Sequence, residues 1–362
     1  MYLCLAPMDG ITTYATRKLT LEIFEKYGKK SDALQVWTEF MNVDGFLINP
    51  RKVIKHLLTD TTQKPIAQIY GGNPDTLLEA AKIIQTNYSE VFSGIELNTG
   101  CPSNTVMKVG GGSDMMNNRA KTLEIIKQLS ETTKIGGLPF SMKARAGVNE
   151  EDKKEQADFL LEASTYCSKI SIHGRTLKQL YSWEADWDFI QQIKQRIFCN
   201  NEDSTTSQNP PYPPLQKGAR VIGNGGITSY EQAQHYYGCY QVDGIMIGQA
   251  AIGNPWIFTP HLPSHEEKLN TILRHLELTV ASDQIFEQRH CEENICITPD
   301  ELAYQIKTNN DHPDFSPHSL VEFRKFLFQY IKGIPGSREW KQEMLQVKKY
   351  GELRKEIVDF FS

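Results

Sequence analysis

Residues 65–98 read PIAQIYGGNPDTLLEAAKIIQTNYSEVFSGIELN, and they hold one full unit of the pattern that decides the fold. A short apolar run (65 to 71) passes through a glycine-rich loop into an amphipathic stretch with proline at its first turn, and a second apolar run (93 to 98) follows. Outward from there the unit repeats. Apolar runs recur as LCLAPM (3 to 8), ALQVWTE (33 to 39), PFSMKAR (139 to 145), KISIHGR (169 to 175), ARVIGNG (219 to 225) and VDGIMIG (242 to 248), with helical stretches such as NRAKTLEIIKQLSETTK (118 to 134) between them. Eight strands alternating with helices over about 250 residues predict an α/β chain folded as a (β/α)8 TIM barrel, with a doubly wound sheet as the alternative. Two segments depart from the repeat. Residues 199–217, CNNEDSTTSQNPPYPPLQK, are polar and proline-rich and fall between helix six and strand seven, the reading of a mobile insertion on the barrel's bottom face. After residue 265, HSLVEFRKFLFQYIKG and SREWKQEMLQVKKYGELRKEIVDFF read as two helices separated by the turn IPG. The expected division is a barrel catalytic domain over 1–264 and a C-terminal all-helical domain over 265–362.

Composition bounds the function. The 362 residues are 40% hydrophobic and 23% charged, with a mean hydropathy of −0.44, which excludes collagenous, low-complexity and disordered classes. No apolar run approaches the roughly 18 residues that span a bilayer, and MYLCLAPMDG lacks a basic start and meets Asp9 at once, so neither a membrane span nor secretion is expected. Seven scattered cysteines without a C-x-x-C pair resemble neither a disulfide framework nor a zinc ribbon, so the reading is reduced thiols, no metal site and a cytoplasmic place. Nothing points to a protein partner. A net charge of −5 and a pI near 6.0 give no whole-molecule attraction to nucleic acid, so RNA binding requires a local basic patch.

Polar residues line up where barrel strands end. Gln68 stands between Ala67 and Ile69, Glu96 and Asn98 flank Leu97, Lys143 and Arg145 flank Ala144, and Ser171 and His173 flank Ile172. These are the C-terminal ends of four consecutive strands, where barrel enzymes place their sites. A self-satisfied interior pair, such as Lys143 with Glu96, explains one strand couple but not four. Strands seven and eight end in GNGG (223 to 226) and IGQ (247 to 249), the two loops in which barrels hold a phosphate. Cys101 precedes a proline in the loop NTGCPS (98 to 103) over the barrel mouth. There a thiol of ordinary pKa, ~8.5, is protonated at neutral pH and suits a general acid.

The motifs APMDGIT, QIYG, ELNTGCPS, GGGS (110 to 113), MKARAG, HGRT, GNGGI, IGQAAIGNPWIF and FRKFLFQYIKGIPG together resemble the tRNA-dihydrouridine synthase family over nearly the whole chain, leaving out the 199–217 insertion. The resemblance implies FMN as cofactor, NADPH as electron donor, tRNA as partner, and reduction of the C5–C6 double bond of a uracil. Carried residue by residue, it places Ala6, Pro7, Met8 and Gln68 around the isoalloxazine, and Lys143 and His173 against flavin or base. Asn224, Gly225, Gly226, Gly248 and Gln249 then surround the phosphate. Asn98, Arg145 and Arg175 orient substrate, and Cys101 is the acid that protonates C5. The chain departs from the common pattern at Gln249 and Leu177, where many members have arginine, and at Phe326, in place of a histidine.

Two rivals remain: an FMN barrel acting on a free pyrimidine, dihydroorotate dehydrogenase-like, and a catalytically silent RNA-binding protein. The tail favours a tRNA enzyme over the first. Between residues 320 and 355 stand nine basic residues against four acidic ones. Arg338, Lys341, Lys348 and Lys355 are spaced as one ridge of a helix, and with Arg324 and Lys325 they are the expected phosphate contacts. A solvated helix face is the alternative.

Overall fold

The structure, a computed structural model, describes residues 1–180, 182–199, 219–288, 295–308 and 317–362. The strands are β1 (Tyr2–Leu5), β2 (Ala33–Asn42), β3 (Ile66–Tyr70), β4 (Gly94–Asn98), β5 (Phe140–Arg145), β6 (Lys169–His173), β7 (Arg220–Asn224) and β8 (Gly244–Ile247). They pair in sequence order, all parallel, and β8 closes on β1. The closed barrel settles the choice against a doubly wound sheet. Its strands read as near-continuous apolar runs because a parallel barrel covers both faces, and all five residues of β4 are buried.

Helices α1 (Tyr14–Tyr27), α2 (Val43–Ile48), α3 (Pro50–Val53), α4 (Pro74–Tyr88), α5 (Asn104–Met107), α6 (Arg119–Gly136), α7 (Lys153–Ser164), α8 (Trp187–Cys199) and α9 (Tyr230–Tyr240) lie between the strands. Local chemistry sets their ends. Asn73 accepts from the Asp75 N–H to start α4 with Pro74 at its first position, and α6 begins at an Asn118 cap and stops at Gly137 in the left-handed region (φ 83°). Cys199 closes α8, and residues 200–217 of the proline-rich insertion lie outside the described residues.

After β8 the described elements are all helical: α10 (His265–Gln288), α11 (Pro299–Thr308), α12 (Pro317–Tyr330), α13 (Ser337–Met344) and α14 (Tyr350–Phe361). One expectation fails here. The stretch 337–361 is two helices, not one: Lys349 is extended between them (φ −111°, ψ 140°), and the Arg324 guanidinium donates to the Val347 carbonyl in the connection. The basic residues expected on a single ridge are thereby divided: Arg338 and Lys341 on α13, Lys348 in the connection, and Lys355 on α14.

The apolar interior forms one large cluster around the barrel, a second in the tail and a small third of Cys4, Ala6, Trp37, Ile66, Ile222 and Met246. The second is not the tail's alone. Tyr14, Ala15, Leu19 and Ile23 of α1, with Trp256, pack into it beside Ile272, Leu276, Phe323 and Leu327. Buried His275 of α10 fixes the same seam, 3.3 Å from Thr16 Oγ1 and 3.1 Å from the Tyr330 hydroxyl. Among the described residues no helix is long and apolar enough to cross a membrane.

Candidate active site

Barrel register explains how polar residues from distant positions meet. Ladder partners present their side chains on the same side of the sheet, so each row of partners forms an interior tier. One tier runs Gln68, Glu96, Ser141, Lys169; two residues higher come Asn98, Lys143 and Ser171; above them stand Arg145, His173 and Asn224. The upper tiers open into a cavity of about 740 Å³ at the C-terminal mouth. Every barrel residue that the resemblance assigned to the site lines it, from Ala6, Pro7 and Met8 through Gln68, Asn98 and Cys101 to Gly248 and Gln249, whereas the strand-end residues Glu96 and Ser171 lie buried and do not.

The Cys101 loop is held from three sides. Asn98 Oδ1 accepts the N–H groups of Gly100 and Cys101 at 3.1 and 3.0 Å, and Ser113 donates to the Cys101 carbonyl through both its hydroxyl (2.8 Å) and its backbone N–H (2.9 Å). Gly112 closes the third side. Its φ of +58° lies in the left-handed region, and a Cβ there would come within 2.6 Å of the Cys101 carbonyl oxygen. Burial pushes the Cys101 thiol above its ordinary pKa, against the opposing Ser103 N–H, Lys143 and Arg145, so the thiol keeps its proton at neutral pH.

Lys143 brings an ammonium to the cavity. Burial, and then the Arg145 charge, push its pKa down to about 8, with Glu96 and Cys101 opposing. No ion pair within 4.0 Å joins Lys143 to Glu96, so the simplest self-satisfying pair is not formed. His173 is held well below its usual pKa by burial and by Lys143, Arg145 and Arg175. It is neutral at pH 7. Because an arginine only donates, the 3.3 Å approach of Arg175 Nη1 makes His173 Nε2 the acceptor and leaves the ring proton on Nδ1. Arg145 is 3% exposed and spends its fork on loops, donating to the carbonyls of Gly100 (2.7 Å) and Thr176 (3.2 Å).

The glycine end fits against this histidine. Gly225 has a φ of +123°, and a Cβ there would meet the His173 ring at 2.9 Å, so the loop after β7 lies directly on the imidazole. Asn224 Nδ2 donates to the Met246 carbonyl (2.8 Å), tying the two phosphate-type loops together, and exposed Gln249 and half-buried Arg175 line the same cavity.

The tail candidates fall elsewhere. Lys325 Nζ reaches the barrel mouth, where it would lie 3.0 Å from a Cβ at Gly10. Lys341 sits over the Phe328 ring at 5.6 Å, and Lys348 is exposed. Arg324 does not face outward: it is 8% exposed and anchors the α13–α14 connection, so it is a packing residue and not an accessible phosphate contact. Phe326 is buried against His275, ring centroids 4.5 Å apart, so its departure from the common pattern falls in the helical core.

Strand β2 brings residues that the sequence did not single out. A register shift between Trp37 and Phe40 breaks the alternation, and β2 continues past the apolar run to Asn42. Glu39 is buried and accepts the Gly10 N–H at 2.6 Å, and Phe40 lines the cavity. His56 Nδ1 lies 3.4 Å from Glu39; burial lowers the imidazole pKa, but the Glu39 and Asp9 carboxylates together outweigh it and the net shift is upward. Asp9, Glu39 and His56 gather their ligand atoms within 4.8 Å, a cluster unforeseen from the sequence. An adjoining cavity of about 440 Å³ runs from Asp9 and Ser103 to Asp283 of α10 and His318 of α12. The mouth therefore opens into a cleft between barrel and tail.

A family model described as dihydrouridine synthase (Dus) matches residues 4–200 and 216–362. The chain belongs to the dihydrouridine synthase family. It is similar to a tRNA-dihydrouridine(47) synthase [NAD(P)(+)] of Coprinopsis cinerea, 32% identical over 193 residues, covering 53% of this chain and 27% of that protein. Probable tRNA-dihydrouridine synthases of Aquifex aeolicus (24% identical, 98% of this chain, 94% of that one) and Staphylococcus epidermidis (27%, 99% and 93%) align over nearly their whole length. The chain thus spans about a quarter of the fungal relative and almost all of these bacterial ones. As a dihydrouridine synthase family member it is an oxidoreductase, and its cavity carries a protonated thiol and an ammonium.

Proposed function

We propose that this dihydrouridine synthase reduces one uridine of tRNA to 5,6-dihydrouridine, with FMN as cofactor and NADPH as electron donor. The observation that carries the reading is the cavity's polarity. A protonated thiol (Cys101), a carboxamide (Asn98) and an ammonium (Lys143) stand at one end, and a glycine cradle with a neighbouring cation stands at the other.

FMN fits these residues. Ala6, Pro7, Met8 and Met246 give an apolar wall, Gln68 and Lys143 a polar edge, and the left-handed Gly225 and Gly226 a backbone cradle for a phosphate. Arg175 stands beside His173 at that cradle and supplies a positive charge where Gln249 supplies none. FMN, when bound and reduced by NADPH, supplies the hydride that C6 of the uracil accepts. Cys101 holds the proton for C5 at Sγ, Lys143 stabilises negative charge developing at a ring carbonyl, and Asn98 keeps the thiol's loop in place. The base must leave its stack to enter, which costs a few kcal/mol and less in a loop than in a duplex. The barrel–tail cleft, with Lys325 at its edge and Lys341 and Lys348 on the tail, offers the contacts for tRNA phosphates. A tRNA substrate and free thiols among the described cysteines suit a cytoplasmic place.

The test is direct. Purified protein should be yellow, release FMN on denaturation, and oxidise NADPH in the presence of tRNA. Recovery of FAD or of no chromophore after reconstitution would overturn the cofactor assignment, and equal turnover of a free pyrimidine would favour a small-substrate enzyme.

A further inference from the structure

Glu96 is among the buried acids that the proposed reaction leaves unused. Glu96 has no exposed surface, lies one tier below Asn98, and is the ladder partner of Gln68. Gln68 Nε2 donates to Glu96 Oε1 at 2.6 Å, Asn98 Nδ2 donates to Gln68 Oε1 at 2.9 Å, and Asn98 Oδ1 accepts from the N–H groups of Gly100 and Cys101. The direction of this chain is fixed from its far end. Backbone N–H groups can only donate, so Asn98 must turn Oδ1 to the loop and its NH₂ to Gln68. Gln68 must then turn its oxygen to Asn98 and its NH₂ away from the loop. The relay closes only if residue 96 presents an acceptor at that reach.

We propose that Glu96 is a positioning residue: its carboxyl oxygen terminates the relay, locks the amide orientations of Gln68 and Asn98, and thereby sets the Cys101 loop over the cavity. The inference deepens the proposed reaction and rests on it for the role of Cys101. Reach matters here more than charge. Burial raises the Glu96 pKa, and both a neutral and an ionised carboxyl keep an accepting oxygen toward Gln68. The second oxygen meets the Ser141 and Ser171 hydroxyls at 3.5 Å, groups that donate or accept by rotation.

Two conservative variants separate reach from charge. Glu96→Gln keeps the length and an acceptor while losing the charge; Glu96→Asp keeps the charge but is shorter by one carbon–carbon bond, about 1.5 Å. The readout is the alkylation rate of Cys101 by iodoacetamide in the purified protein as isolated, resolved by peptide mass spectrometry. It needs neither NADPH nor tRNA, so its failure is distinguishable from failure of the proposed reaction. The expected result is labelling within about twofold of wild type in E96Q and at least about fivefold faster in E96D. In tRNA turnover E96D should lose kcat about tenfold while KM holds. Unchanged labelling in E96D, or E96Q labelled as fast as E96D, would overturn the proposal. A fall in melting temperature with unchanged labelling would likewise reduce Glu96 to a packing residue.

Discussion

For single residues, the chemistry turns on which groups hold protons. Cys101 is kept protonated by burial, the state a general acid needs, so Cys101→Ala should leave flavin reduction by NADPH and tRNA binding nearly intact. Reduction of tRNA should fall by ~10²- to 10⁴-fold, the usual loss for one general acid. Stopped-flow measurement of the two half-reactions separates these outcomes, and turnover within a few-fold of wild type would make the thiol structural. Lys143 has a complementary pH signature. With its pKa pushed down to about 8, it is charged below that pH and neutral above it. In the proposed reaction the ammonium is the working form, so kcat/KM should fall as pH rises through about 8, while the raised Cys101 thiol titrates later. Lys143→Arg, which stays protonated throughout, should lose that alkaline limb. An unchanged profile in this variant would remove Lys143 from the chemistry. Single residues are also where the sequence is least legible. Glu96 is visible as a polar strand-end residue, but its partner Gln68 lies 28 positions away and follows from barrel register alone. Arg324 reads as a surface charge in the sequence because a charge tally carries no information on burial.

Among the elements, the loops matter more than the strands. Gly112 packs against the Cys101 carbonyl in a left-handed conformation, so Gly112→Ala meets both a backbone penalty and a clash. A cost of about 1–3 kcal/mol is expected, seen as a lower melting temperature together with slower tRNA reduction. Wild-type melting and turnover would show that the GGGS run only makes a turn. The strands themselves are legible because burial on both faces writes them as apolar runs, and all eight fall within two residues of the expected starts. The end of β2 is not, since a bulge breaks period-two alternation before Glu39 and Phe40 reach the mouth. The break between α13 and α14 is hidden for a related reason. Its residues keep a helical spacing of apolar positions, while the backbone turns extended at Lys349, beside the Val347 carbonyl that accepts from Arg324.

Across the whole molecule, barrel and tail share a core, and that changes how the tail can be tested. Removing residues after 264 would expose the α1 face carrying Leu19 and Ile23, each buried large apolar side chain being worth roughly 1.5–3 kcal/mol. The truncated barrel is therefore expected to aggregate, checked by light scattering, and point substitutions are the better probe. Lys341→Glu with Lys348→Glu leaves the shared core untouched and should weaken tRNA binding. Removal of one lysine–phosphate pair should flatten the log–log dependence of affinity on salt by about 0.7 to 0.9. Unchanged affinity and slope would make the tail a packing domain. The reaction itself is tested most directly by incubating purified protein and NADPH with tRNA that lacks dihydrouridine, then mapping the product by mass spectrometry. The expected product carries two additional hydrogens at a single uridine and is absent with Cys101→Ala; no gain from flavin-loaded protein, or a gain independent of Cys101, would contradict the proposed chemistry.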